Sequence, residues 1–252
     1  MTQVYRPNHL LFEVAFIAST SDGPLKAIGT EVQKLGARMV SSTYIEDTDG
    51  RGHWGVFLDT RDRSLTSDML RRALEKLGIL EGLRVAGGSE LIVESLYFPI
   101  VLSTGRRTML FAQESFQRMH ASLQETFGSG GAVISYTEGL ATGSRDAGEA
   151  RSIIKGDLQK FSAELLKNYA AIGVGICELV RATLDPPEFV VRIHRNIECE
   201  GRQSATPASH WVRGHLCGGV ATALDTPMTC VETKCLATGS PYCEFELKRS
   251  EG

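Results

Sequence analysis

The stretch PMTCVETKCLATGSPYCEFELKRS, Pro227 to Ser250, decides how the C-terminal part of this chain is read. It has a strand-like run, a Gly-Ser-Pro turn and a return strand, so it forms a hairpin. Pairing brings Cys235 and Cys243 together although seven residues separate them, and Glu232 lies three residues before Cys235. Two thiolates and a carboxylate make a partial shell for zinc, which takes four ligands at about 2.0–2.3 Å. The fourth ligand has to come from upstream, where Cys199, His210 and Cys217 are candidates. The competing reading makes the cysteines small buried residues and Glu232 a solvated one.

All six cysteines (177, 199, 217, 230, 235 and 243) lie in the last third of the 252 residues. Clustering of this kind, without a basic, apolar leader at the N-terminus, favours metal or reactive thiols over a disulfide framework. Cys177 and Cys230 sit in apolar strand-like runs and read as core. The missing leader and the short apolar runs give the expectation of a cytoplasmic protein with no membrane partner. Apolar residues at 42% and charged residues at 23% are ordinary for a globular chain. A net charge of -3, with 27 basic residues dispersed among 30 acidic ones, offers no basic face for direct nucleic-acid binding. The doublet Arg106-Arg107 reads as a solvated turn.

Upstream of the hairpin, IGVGICELVRATLDPPEFVVRIHRN gives two strands broken at the Pro pair, which cannot donate ladder hydrogen bonds. SATPASHWVRGHLCGGVATAL reads as a turn and a glycine-containing helix. AVISYTEG (132–139) reads as a strand and ATGSRDAGEARSIIKGDLQKFSAELLKNY as helix, interrupted near Gly156. ESFQRMHASLQETFG places Phe116, Met119, His120, Leu123 and Phe127 on one helical side. PIVLSTGRRTMLF reads as a short hairpin.

The N-terminal part runs strand (Leu10–Ser19), helix (Leu25, Ile28, Val32 and Leu35 on one face), strand (MVSSTYIED) and strand (HWGVFLDT). A helix near 65–77 with Leu65, Met69, Leu70, Ala73, Leu74 and Leu77 follows, then strand character in SELIVESLYF. That order is the split arrangement in which helices cover one face of an antiparallel sheet. The whole is an α+β chain with a tight junction, residues 1–96 forming one domain and 97–252 the other.

Residues from about Tyr97 to Lys248 resemble the V4R, or 4-vinyl-reductase-type hydrocarbon-binding, domain. The resemblance is carried by Gly214-His215-Leu216-Cys217-Gly218, Val231-Glu232-Thr233-Lys234-Cys235, Gly239 and Tyr242-Cys243-Glu244-Phe245. Thr137 to Gly143, TEGLATG, resembles the strand-to-helix junction of that family. The resemblance implies a mixed α/β domain that encloses a small apolar or aromatic ligand, often as a homodimer, with structural zinc, Zn(2+), nearby. In phenol-sensing relatives the zinc shell is Glu, Cys and Cys of the tail plus one upstream Cys. The first three match Glu232, Cys235 and Cys243, whereas the upstream position is Ser209 here. Cys199 is the preferred substitute, with His210 a close second. Residues 10–96 resemble a ferredoxin-like, ACT-type regulatory domain, whose strand-to-helix turn falls at Thr20 to Leu25. Asp22 and Gly23 there can hold an amino-acid-like effector, and a purely dimerising role is an equal reading.

A ligand site needs an apolar wall with a few polar groups. Tyr136, Phe189, His194, Trp211 and His215 are the candidates, against core packing for each. No phosphate loop, dinucleotide fingerprint or HExxH pattern occurs. The expected function is therefore small-molecule sensing without catalysis. The alternative is a metal-stabilised structural or interaction module, and a cofactor-dependent reductase ranks below both.

Overall fold

The computed structural model describes residues 3–19, 23–46, 49–93, 107–153 and 166–250. The chain divides into two compact units, Met1–Met109 and Leu110–Gly252. The expected junction after residue 96 lies outside the described residues, as do Thr20 to Asp22, Gly156 and most of the 99–111 hairpin. Among the described residues no helix is long and apolar enough to cross a membrane.

In the first unit, strands β2 (Leu10–Ser19), β3 (Ala37–Glu46), β4 (Arg51–Thr60) and β5 (Glu81–Ser89) form an antiparallel sheet in the order β3-β4-β2-β5. Helices α1 (Gly23–Lys34) and α2 (Ser67–Glu75) connect them. Phe12, Val14, Phe16, Val56 and Leu58 alternate along β2 and β4 and meet Ile28, Val32, Leu70 and Leu74 in one core. These strand residues share one face of the sheet, as alternate positions do, while Leu11 and Phe57 are buried in a separate cluster. Thr66 starts α2 by accepting the Met69 amide at 3.2 Å. Met69 itself is exposed, a correction to its expected place in the apolar stripe.

The fourth strand of this sheet also differs from expectation. It is EGLRVAGGS, not the downstream SELIVESLYF. Gly87 and Gly88 adopt positive φ beside a register shift, so glycines that look unfavourable for a strand accommodate an irregularity against β2. Leu91–Val93 (β6) instead pairs with β1, Gln3–Tyr5.

In the second unit, β7 (Ile176–Leu184), β8 (Pro187–His194), β9 (Met228–Lys234) and β10 (Cys243–Arg249) form an antiparallel sheet ordered β7-β8-β10-β9. Helices α3 (Gln113–Phe127), α4 (Ser129–Ile153) and α5 (His210–Leu224) complete the unit, and residues 166–171 are helical. The inward residues Phe189, Val191, Ile193, Phe245 and Leu247 share a core with Val212, Leu216 and Cys217 of α5.

AVISYTEG is helical, which corrects the strand expected there, and TEGLATG lies inside α4 rather than at a strand-to-helix junction. The physical reason is the contact of α4 with α5. Gly139 and Gly143 of α4 face the backbone at Trp211 and His215, and Gly214 and Gly218 of α5 face that at Tyr136 and Leu140. A methyl group at any of the four would lie far inside contact distance of a carbonyl oxygen on the other helix. Two pairs of glycines four residues apart thus let the two backbones touch, outweighing the local β-propensity of the Val-Ile-Ser-Tyr run. On α3, Met119 and Phe127 are exposed instead of sharing the buried side with His120.

Candidate metal centre and apolar cavity

The β9–β10 hairpin delivers Glu232 and Cys235 from one arm and Cys243 from the other. Between them the chain makes a short 3-10 turn, Leu236–Thr238, closed by Gly239 at a φ of 96°. Alternation along the strands turns Cys230 and Glu232 inward with Cys243 and Phe245. The turn after β8 adds Cys199. Asn196 shapes that turn, accepting the Glu198 amide on Oδ1 at 3.0 Å while its carbonyl accepts the Cys199 amide.

The ligand atoms of Cys199, Glu232, Cys235 and Cys243 all lie within 4.8 Å of one another, and all four residues are buried. The Cys199 and Cys235 sulfurs are 3.5 Å apart. Zinc–sulfur bonds of about 2.3 Å in a tetrahedron give sulfur–sulfur edges of about 3.8 Å, so only a small expansion is required. The donor set fits a metal ion, and three thiolates favour zinc among the common ones.

Ser209 stands at the rim of this cluster. Its Oγ donates to Glu232 Oε1 at 2.7 Å, its amide donates to Oε2 at 3.1 Å, and Cys199 Sγ is 3.0 Å from Oγ. Asn196 Nδ2 donates to Ser209 Oγ at 2.9 Å and fixes it. Ser209 therefore orients the carboxylate while Cys199 brings the third sulfur from a different loop. His210 opens α5 and is not one of the four clustered side chains.

Burial pushes the Glu232 carboxyl up to about 7. Hydrogen bonding to Cys199 and Cys243 holds the Cys235 thiol well below the ordinary range, and the bond with Cys235 holds Cys199 well above it. Without a cation, then, one thiolate is favoured and its neighbours keep their protons. A divalent ion displaces those protons.

A second buried carboxylate, Glu198, adjoins the centre. It accepts the Trp211 and Val212 amides at 3.0 and 2.7 Å, occupying the donor-rich N-terminus of α5. Burial raises its carboxyl to about 8 despite these bonds. Sequence reasoning passes over Glu198, for which the available signal is its position one residue before Cys199.

Between the sheet and α5 is a cavity of about 20 Å³. It is lined by Leu179, Phe189 and Val191 of the sheet, Leu216 and Ala223 of α5, and Tyr169. Burial holds the Tyr169 hydroxyl well above the ordinary range, so it remains a donor. It lies 2.5 Å from His215 Nδ1, and His215 Nε2 lies 3.3 Å from Asp146. The carboxylate selects the tautomer with hydrogen on Nε2, leaving Nδ1 to accept from Tyr169.

Of the five residues expected to form a ligand pocket in this unit, Phe189 lines the cavity directly. His215 reaches it through Tyr169. Trp211 packs against His215 with ring centroids 4.9 Å apart and planes tilted by 35°, and meets Phe116 edge-on at 5.4 Å. Tyr136 packs against the same core under the Arg213 guanidinium. His194 is not among the residues lining this cavity. The period-two alternation that turns Ile193 inward places it on the other face of β8, 3.7 Å from Glu178 and beside the Tyr242 ring. In the first unit, Gly23 is the first residue of α1, and Asp22 lies outside the described residues.

The C-terminal sequence and fold are similar to those of known proteins. Residues 189–249 match the V4R domain. The phenol-responsive sensory domain of the transcription activator PoxR, crystallised with phenol, is similar over 60% of this chain and 83% of its own, with a TM-score of 0.54 and 15% identity. A vinyl-4-reductase family protein from Methanocaldococcus jannaschii aligns over 57% of this chain and 100% of its own, with a TM-score of 0.39 and 17% identity. A trafficking protein particle complex subunit 3 from Naegleria fowleri, covalently bound to palmitic acid, aligns over 55% and 95%, with a TM-score of 0.43 and 16% identity. No curated protein matches the chain. The C-terminal unit carries a V4R domain at residues 189–249 and shares its fold with the phenol-responsive domain.

Proposed function

We propose that the chain is a ligand-sensing regulatory protein whose V4R-type unit binds a small apolar or aromatic molecule against α5, with a structural zinc ion held by Cys199, Glu232, Cys235 and Cys243. The observation that carries the reading is the apolar cavity between sheet and α5, in a fold shared with a domain crystallised with phenol. At about 20 Å³ the cavity is far below the roughly 300–1,000 Å³ of ligand pockets. Occupancy therefore has to move α5 or the residues facing it, and a ligand that favours the moved arrangement shifts the population toward it.

Zinc bound at these four residues would tie the 196–202 turn to the β9–β10 hairpin, so that the start of α5 stays fixed while its cavity-lining turns adjust. No catalytic step is part of this reading. The Asp146–His215–Tyr169 chain positions a hydroxyl at the cavity wall.

Homodimerisation belongs to the same proposal, supported by exposed Leu110, Phe111, Phe127 and Val133 in the second unit. We assign the first unit a regulatory or dimerising role of the ACT type, on its strand and helix order. Calorimetric titration of the zinc-loaded full chain with phenol, beside the cavity-filling variant Ala223→Leu, tests the reading. Saturable binding that the variant weakens supports sensing. Equal absence of binding in both, with zinc retained, supports the metal-stabilised interaction module.

A further inference from the structure

In the first unit, Asp59 near the end of β4 is 1% exposed and surrounded by cations. Arg6 Nη1 donates to its Oδ2 at 2.7 Å, and Arg38 donates to the same oxygen through Nε and Nη2 at 3.1 and 2.9 Å. His9 Nδ1 bonds the other oxygen. Burial opposes ionisation of Asp59, but the His9 and Arg38 hydrogen bonds and the Arg6 charge hold its carboxyl below the ordinary range. Arg61 Nε lies 3.2 Å from His9 Nε2, on the side of the ring away from Asp59.

The sum is three guanidiniums against one carboxylate, an excess of two positive charges. Arg6 pairs with Asp59, while Arg38, Arg61, His9 and Asp59 itself line, with Gln33 and Thr60, an open pocket of about 500 Å³. Each guanidinium has five N–H donors. Asp59 takes one from Arg6 and two from Arg38, and His9 takes one from Arg61. The rest of the donor set is oriented by these bonds, which lowers the ordering cost of binding. The C-terminal end of α1 adds some negative character, but Thr60 Oγ already donates to the Gly36 carbonyl at 2.9 Å.

We propose that this pocket binds a small doubly charged oxyanion, a phosphate monoester or a dicarboxylate, through Arg38 and Arg61. A dianion matches the excess charge, and planar guanidiniums pair with its oxygens in a forked geometry. All of the site's residues belong to the first unit. Within its own sheet it lies where Leu10 pairs with Thr60, at the other end from Ser19 and the start of α1. It is therefore not the strand-to-helix turn at which an amino-acid-like effector was expected.

The test is calorimetric titration of the full chain with inorganic phosphate and with succinate at constant ionic strength, for the native sequence, Arg61→Gln and Arg38→Gln. Arg61 makes no bond to Asp59 among those described, so Arg61→Gln removes the bond to His9 but leaves the Arg6, Arg38 and His9 contacts of Asp59 in place, and thermal melting checks the fold of both. Saturable binding of either anion, weakened about tenfold or more in each variant, supports the site. The preferred anion separates phosphate esters from dicarboxylates. No saturable binding of either anion overturns the proposal. So does binding that Arg61→Gln and Arg38→Gln leave unchanged, which would mark an adventitious ion only.

Discussion

Replacing Gly143 with alanine tests whether backbone contact between α4 and α5 shapes the second unit. The added Cβ would stand 2.8 Å from the His215 carbonyl carbon and closer still to its oxygen. The obstacle is helix backbone, which cannot rotate away as a flexible side chain can. Overpacking of this kind costs about 1–3 kcal/mol, and displacement of rigid backbone argues for the upper part of that range. Alanine recovers about 1 kcal/mol of helix propensity over glycine, leaving a net loss of about 1–2 kcal/mol. At Gly148, in the same helix, an added Cβ would meet nothing within 4 Å. There the propensity gain stands alone, so Gly148→Ala stabilises by up to about 1 kcal/mol. Urea unfolding in a Trp54→Phe background, where Trp211 alone reports on the second unit, measures both changes. Opposite signs are expected. A Gly143→Ala protein as stable as Gly148→Ala would refute the close helix contact.

Burial lowers His120 to about 4 from an ordinary 6.5, and its Nε2 has no hydrogen-bond partner among the described residues. The folded state thus takes up its proton later than the unfolded state as pH falls. Stability is complete above about pH 6.5 and declines by up to about 3 kcal/mol toward pH 4; His120→Asn should flatten that part of the curve in unfolding titrations. Cys235→Ser and Cys199→Ser should each reduce bound zinc from about one ion per chain to a small fraction by elemental analysis, whereas His210→Ala should retain it. Retention in Cys199→Ser with loss in His210→Ala would reverse the ligand assignment. Val133→Glu should shift the full chain from dimer to monomer by light scattering, and an unchanged mass would place any dimer interface elsewhere.

Much of the candidate metal centre was legible because its residues are local. Glu232, Cys235 and Cys243 belong to one hairpin, and alternation together with a short turn suffices to bring them together. Cys199 is different. Its place depends on Asn196 shaping a turn and on Ser209 occupying the space at the start of α5, neither of which a spacing rule encodes. The cavity shows the same division. Phe189 lies on a strand whose period is readable, but Tyr169 and Asp146 reach His215 from separate segments.

The misread segments share a cause. AVISYTEG carries residues that suit a strand, yet Gly139 fits α4 against α5, and that contact is formed by residues more than seventy positions away in sequence, about seventy-five between Gly139 and Gly214. EGLRVAGGS looks too rich in glycine for a strand until its pairing with the buried β2 is known. Met69, Met119 and Phe127 have the apolar character of core residues but are exposed, since periodicity alone leaves the edges of a helical stripe undefined.

The most direct measurement is a crystal structure of the full chain grown with zinc and phenol, with anomalous data collected at the zinc edge. The expected result is an anomalous peak bonded to Cys199, Glu232, Cys235 and Cys243, and phenol density enclosed by Phe189, Val191, Leu216 and Ala223 in an enlarged cavity. Zinc at the four ligands with the cavity still closed around its own side chains would contradict the sensing claim and leave a metal-stabilised module.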